Sequence, residues 1–151
     1  MGYQMLLVLL AVILFSTVFL GTFNSIFLHN EIVIEGAYRL QAQKVADYFF
    51  QRVDADLLHA QTDGVGVTNF SSVFSTYSSY GTIVTIDSID YHVSSLVLPC
   101  NHLGDTSSPT ANYRLLNARV WFVINSTDTL FVGSAANPMS KVYANNGLYP
   151  S

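Results

Sequence analysis

The first part of the chain is apolar on every side. No Asp, Glu, Lys or Arg precedes Glu31, and residues 5–28 contain few polar side chains. Those few are Ser16, Thr17, Thr22, Asn24 and Ser25. At a rise of about 1.5 Å per residue, a helix over this run would extend for roughly 36 Å. Because a bilayer's hydrocarbon core is about 30 Å thick, the pattern predicts a transmembrane helix over residues 1–30.

A cleavable secretory signal is the alternative interpretation of this run, with cleavage near Ser16 or Gly21. Such a signal has a basic segment, then a short apolar core and a cleavage site with small side chains. No Lys or Arg precedes the run, and the run is longer than a typical signal core. We therefore prefer a helix that is retained.

After Glu31 the apolar pattern becomes one-sided. Apolar residues recur at steps of three and four, which places them on one face of a helix. These residues are Ala42, Val45, Phe49, Val53 and Leu57. Since no proline interrupts the chain before Pro99, the pattern predicts a single helix from about residue 3 to residue 60. Residues 31–151 are then a head domain that includes the second half of this helix.

The rest of the chain favours short strands. Residues 116–124 alternate between the two faces of a strand, and this alternation puts Val120 and Phe122 on one face. Three or four antiparallel strands are expected, with a bulge or break between residues 86 and 89. The strand-like segments are 83–86, 89–93, 116–124, 129–132 and 141–144, and residues 68–82 are expected to form a loop.

The predicted fold class is therefore α+β, with a long N-terminal helix packed on a small antiparallel sheet. Val45, Phe49, Val53 and Leu57 are expected to contact the sheet. Val120 or Phe122 is expected opposite Phe49 and Val53.

Composition and charge exclude several function classes. The chain has six Lys and Arg residues and a net charge of −4, so no nucleic-acid partner is expected. Its single cysteine, Cys100, excludes an internal disulfide framework. The four histidines lack metal-ligand spacing, and no motif supplies a nucleophile and a base. The expectation is a protein that is not an enzyme and has no cofactor or metal.

Two Asn-x-Ser/Thr triplets are candidate glycosylation sites. They begin at Asn69 and Asn125, and each lies in a segment expected to be a loop or turn outside the membrane. Coincidence is the alternative, because such triplets are common in Ser- and Thr-rich sequence.

The first 58 residues, beginning MGYQMLLVLLAVILFSTVFLGTFN, resemble the N-terminal helix of type IV pilins. The likeness is one of architecture along the chain and of pattern in the helix. Members of that family usually have a basic leader and a Glu at the fifth mature position. In this sequence no Lys or Arg precedes the apolar run and no acid precedes Glu31, and Gln4 is the polar side chain nearest to the place of that Glu.

The resemblance implies a structural subunit of an extracellular filament, with roles such as adhesion or motility. Its partners would be copies of itself, the inner membrane before assembly, and a pilus assembly machinery. The residues expected to contact other copies in the filament core are Gln4, Leu7, Val8, Ile13, Phe15, Phe19 and Gly21. The alternatives are a secretion-system pseudopilin and a bitopic membrane protein with a periplasmic or extracellular binding head.

Overall fold

The protein is described from a computed structural model that covers residues 2–62, 69–125 and 128–146. It has the predicted α+β fold, in which one long helix contacts a five-stranded antiparallel sheet. The chain divides into two compact units, Met1–Tyr38 and Arg39–Ser151, and each is described by itself. The sequence pattern had placed this division between residues 30 and 31.

Helix α1 runs over Gly2–Thr62. Its bounds agree with the prediction to within two residues, since the apolar run and the one-sided stripe share the helical period. Within the second unit, one face of α1 is buried along its whole length. The buried residues of α1 are Ala42, Val45, Ala46, Phe49, Val53, Leu57 and Ala60.

The predicted loop over residues 68–82 is wrong, because a short helix, α2, forms at Phe70–Tyr77. Asn69 begins it with a capping box, in which its side-chain oxygen accepts a hydrogen bond from the Ser72 amide at 2.8 Å. The Ser72 hydroxyl in turn accepts one from the Asn69 amide at 2.8 Å. The apolar side of α2 is buried and consists of Phe70, Val73, Phe74 and Tyr77.

The sheet has five strands, one or two more than expected. They are β1 (Gly81–Ile86), β2 (Ile89–Pro99), β3 (Tyr113–Asn125), β4 (Asp128–Val132) and β5 (Met139–Ala144). All pairs are antiparallel, and β3 is central. One edge of β3 pairs with β2. Along the other edge, the first part of β3 pairs with β5 and its last part pairs with β4.

A close approach of backbones between β4 and β5 requires a glycine. Gly133 has a φ of +78°. A Cβ there would lie 3.0 Å from the Ala118 carbonyl oxygen and 3.1 Å from the Met139 amide nitrogen. A side chain at this position would crowd these backbone atoms and would also be strained by the positive φ, so the position favours glycine.

The expected bulge or break between residues 86 and 89 is a tight hairpin turn. Ile86 pairs with Ile89, and the two residues between them, Asp87 and Ser88, have φ values of +50° and +66°. Two central residues with positive φ are typical of the type I′ turn, which matches the twist of hairpin strands. The phase of the apolar pattern slips here because the chain reverses.

The core lies between the inner face of the sheet and the two helices. Tyr91 and Val93 of β2 and the alternate residues of β3 are buried. The buried residues of β3 are Leu116, Ala118, Val120 and Phe122. This spacing of two is the alternation that the sequence displays, and it gives the sheet one apolar face.

Candidate membrane and assembly surface

The apolar half of α1 is exposed throughout the first unit. The most apolar stretch of α1 has a mean hydropathy of 2.6, and none of it is buried. By length and composition, α1 is the one helix in the described part of the chain that could cross a membrane. An exposed apolar helix near the N-terminus indicates membrane association or a signal sequence.

Every residue predicted to lie in a filament core is exposed on this segment. The exposed fractions of Leu7, Val8 and Ile13 are 50%, 64% and 52%. Phe15 and Phe19 are exposed to 73% and 55%, and Gln4 and Gly21 are exposed as well. Their surfaces are therefore free to meet lipid or protein, while contact with other copies stays a prediction.

Two threonine hydroxyls in the apolar segment bond to their own helix. Thr17 donates to the Leu14 carbonyl oxygen at 2.9 Å, and Thr22 donates to the Val18 carbonyl oxygen at 2.9 Å. Such bonds satisfy a hydroxyl without help from water, which suits an apolar environment. The helix also continues without interruption through Gly21 and Asn24, where the composition is locally weak for helix formation.

Polar side chains near the start of the head connect α1 to the β1–β2 hairpin. Tyr91 donates its hydroxyl hydrogen to the Gln41 side-chain oxygen at 2.7 Å. The amide nitrogen of Gln41 in turn donates to the Asp87 carboxylate at 3.3 Å. One glutamine thus connects the helix to both β2 and the hairpin turn.

A second group of polar contacts lies farther along α1. Lys141 of β5 forms an ion pair with Asp54 at 2.7 Å, with both side chains nearly half exposed. Such exposed pairs contribute about 1 kcal/mol or less. Burial raises the pKa of Tyr143, and the Asp54 carboxylate beside it raises that pKa further. Burial also raises the pKa of Tyr77, as does the hydrogen bond that its hydroxyl donates to Asp56.

All six residues predicted to pack in the head are buried. Val45, Phe49, Val53 and Leu57 are at most 5% exposed, and Val120 and Phe122 are fully buried. The Phe49 ring lies 5.6 Å from the Tyr77 ring and 5.8 Å from the Tyr80 ring, centroid to centroid. Tyr77 belongs to α2 and Tyr80 follows it, so sequence reasoning missed two of the partners of Phe49. Its pairing with Phe122 or Val120 stays a prediction.

The missed helix α2 did have a signal in the sequence. Phe70, Val73, Phe74 and Tyr77 recur at helical steps, and Asn69 with Ser72 is a capping pair. The abundance of Ser and Thr, which favours loops and strands, obscured this pattern.

The outer face of the sheet carries an apolar row that the sequence pattern did not reveal. Ile83, His92, Trp121 and Phe131 are directly paired neighbours across four strands. The His92 and Trp121 rings stack at a centroid distance of 3.8 Å and an angle of 5°. Ile83 and Phe131, at the two ends of the row, are 57% and 52% exposed. The sheet therefore has a half-covered apolar strip on the side facing away from the core.

The two glycosylation triplets occupy different settings. Asn69 is half-buried, and its side-chain oxygen caps α2. Asn125 is the last residue of β3, and the rest of its triplet, residues 126–127, lies outside the described residues. Modification of either asparagine stays a prediction.

No group of three or more His, Cys, Asp or Glu side chains in residues 2–62, 69–125 and 128–146 is arranged to hold a metal ion. The Cys100 thiol is buried, and burial raises its pKa, which disfavours the reactive thiolate. The architecture, a long apolar helix followed by an antiparallel sheet, is pilin-like. No protein-family model matches the chain, nor does any curated protein or solved structure.

Proposed function

We propose that this chain is a structural subunit of an extracellular filament like a type IV pilus, and not an enzyme. In this proposal the N-terminal apolar helices bundle to form the filament core, and the heads form its outer surface. Copies would be stored in the inner membrane and extracted from it by an assembly machinery. A secretion-system pseudopilin, which forms a shorter filament, is a variant of the same proposal.

The observation that carries the proposal is the complete exposure of the apolar half of α1. Within the second unit, the buried residues of α1 form the one-sided stripe that begins at Ala42. In the part of the chain that the structure describes, none of the most apolar stretch of α1 is buried. A helix that is apolar on all sides needs an apolar environment on all sides. Lipid supplies it before assembly, and copies of the helix would supply it in a filament.

The second candidate is a bitopic membrane protein whose head binds a partner outside the membrane. The length of α1 favours this candidate too, because the apolar segment is long enough to cross a bilayer once. The two candidates differ in what surrounds the helix permanently, which is protein in a filament and lipid in a bitopic protein. This difference can be measured.

The test is expression of the full chain in a host that has a type IV pilus assembly system. Surface structures are sheared off and examined by electron microscopy, and the chain is quantified in the sheared and membrane fractions. We expect filaments that contain the chain. A wild-type chain found only as detergent-soluble monomers, with no filaments, would overturn the proposal in favour of the bitopic protein.

Two aspartate variants test which surface assembles. Ile13→Asp places a charge in the apolar segment at a cost of several kcal/mol when buried, so it should be absent from the sheared fraction. Leu103→Asp is the matched control, since Leu103 is 78% exposed on a loop of the head. It should assemble as the wild type does. Equal assembly of both variants would show that residues 5–28 are not the core.

A further inference from the structure

A histidine and a tryptophan stack face to face on the outer side of the sheet. The His92 ring of β2 and the Trp121 ring of β3 have centroids 3.8 Å apart, and their planes are inclined by only 5°. The two residues are directly paired across the strands, and each is half-buried. At this separation no water fits between the rings. The imidazole is therefore in direct contact with the face of the indole.

The stack lies in the middle of the apolar row. Ile83 on β1 is the directly paired neighbour of His92, and Phe131 on β4 is the directly paired neighbour of Trp121. Because directly paired residues have their Cβ atoms about 5 Å apart, large side chains in such a row limit one another's rotamers. The stack is thus part of a continuous row and not a contact between two isolated surface rings.

Two charged side chains share this face of the sheet with the stack. Asp90 is two residues before His92 on β2, and Arg119 is two residues before Trp121 on β3. They lie on opposite sides of the stack along the strands, since Arg119 pairs with the residue two positions after His92. The Asp90 carboxylate accepts a hydrogen bond from the Thr85 hydroxyl at 2.6 Å. The residues that β1 and β4 contribute to this face are uncharged, namely Gly81, Ile83, Thr85, Thr129 and Phe131.

The chemistry of the two rings makes their contact depend on the charge of the imidazole. Histidine is the side chain that ordinarily gains a proton between pH 8 and pH 5. A cation over the face of a tryptophan ring is attracted by the ring quadrupole, and a neutral ring lacks this attraction. Protonated His92 therefore has a favourable partner in the folded chain that it loses when the chain unfolds.

We propose that the His92–Trp121 stack is a pH-sensitive contact that tightens when His92 takes up a proton. The folded chain then binds this proton more tightly than the unfolded chain does, so the added stabilisation is present at acid pH and is lost as the pH rises. The same proton places a positive charge at the centre of a row that is otherwise uncharged. The outer face of the head thus changes its character with pH. This inference concerns the head alone, so it holds for a filament subunit and for a bitopic protein alike.

The fluorescence of the full chain in detergent, measured from pH 8 to pH 5, tests the contact directly. Trp121 is the one tryptophan of the chain, and a protonated imidazole in contact with an indole quenches its emission. We expect the emission to fall as the pH drops through about 6.5. His92→Gln removes the ring, and His92→Phe keeps a ring that cannot take up a proton, so both should lack this transition. His102→Gln is the matched control on the loop after β2, and it should behave as the wild type does.

Urea unfolding at pH 8 and pH 5 measures whether the proton stabilises the head. Between these two pH values, the ratio of folded to unfolded chain should change by about two- to fivefold more in favour of the folded chain in the wild type than in His92→Phe. Groups that titrate elsewhere in the chain contribute equally to both proteins and cancel in this comparison. Asp90→Asn separates the ring from the nearby carboxylate, and it should keep the difference.

Three results would overturn the proposal. Wild-type emission that follows the His92→Phe curve would show that the charge of His92 does not reach the indole. A fluorescence transition without the difference in unfolding would show that the proton does not favour the stack. Loss of the difference in Asp90→Asn would assign the effect to an ion pair between Asp90 and His92 instead of the ring contact.

Discussion

Replacing Phe49 with alanine removes the ring that joins three parts of the head. Phe49 is 3% exposed on α1. Its ring meets the Tyr77 ring edge-on at an angle of 81° and stacks on the Tyr80 ring at 26°. Because Tyr77 lies on α2, the loss of the Phe49 ring leaves a cavity between the two helices.

The expected cost follows from the burial of this ring. Phenylalanine-to-alanine changes at buried sites cost about 3–5 kcal/mol, as the sum of lost transfer energy and an incompletely closed cavity. Alanine returns roughly 0.5 kcal/mol through its higher helix propensity. We therefore expect a net loss of about 2.5–4.5 kcal/mol. Since a domain's total stability is about 5–15 kcal/mol, this is a large share.

The assay is urea unfolding of the full chain in detergent, followed by the fluorescence of Trp121. This is the one tryptophan of the chain, and it lies on β3 of the head, so its signal reports the head alone. Tyr48→Ala is the control, because Tyr48 precedes Phe49 on the same helix and is 63% exposed. Its change should stay within about 0.5 kcal/mol. If both variants unfold at the same urea concentration, the ring does not pack as described.

Two further predictions concern the hairpin and the buried tyrosines. Ser88→Gly should stabilise the head by about 0.5–1 kcal/mol, because glycine adopts the φ of +66° without strain. Ser94→Gly within β2 is the control and should destabilise the head. Urea midpoints that fall for both variants would refute the strain at Ser88. Burial raises the pKa values of Tyr77 and Tyr143 above the value of about 10 in an unfolded chain. The unfolded chain therefore loses these protons first, so stability should fall as pH rises through about 10. The double variant Tyr77→Phe/Tyr143→Phe should show a shallower fall of its urea midpoint, and parallel curves would contradict the assignment.

The long helix and the central strand could be predicted from the sequence because their patterns are long and regular. The stripe from Ala42 to Leu57 repeats over several turns, so one ambiguous residue does not change the interpretation. Residues 116–124 alternate over nine positions, and β3 contains all of them. In both cases the local period and the buried face agree, which makes the pattern informative.

The short helix α2 and the β1–β2 turn are harder to predict from the sequence, each for its own physical reason. Helix α2 has eight residues, which is too short to be stable alone, and it depends on burial of Phe70 and Phe74 by the rest of the head. The β1–β2 turn uses Asp87 and Ser88, without the glycine that usually marks such a turn. Its link to α1 through Gln41 joins residues 46 positions apart in the chain. Contacts of that kind are invisible to local pattern.

The division of α1 between two units follows from how the apolar residues are distributed around each half of the helix. From Ala42 onward the apolar residues occupy one face, and the sheet with α2 can cover that face completely. Before Tyr38 the apolar residues occupy all faces, and Ile32, Val33 and Ile34 beyond Glu31 are still at least half exposed. A helix that is apolar on all faces needs an apolar environment on all faces, and none of the most apolar stretch of α1 is buried among the described residues. The exposed half of α1 is therefore the part of the molecule whose stability depends on what lies outside it, which is why we direct the assembly experiments at residues 5–28 rather than at the head.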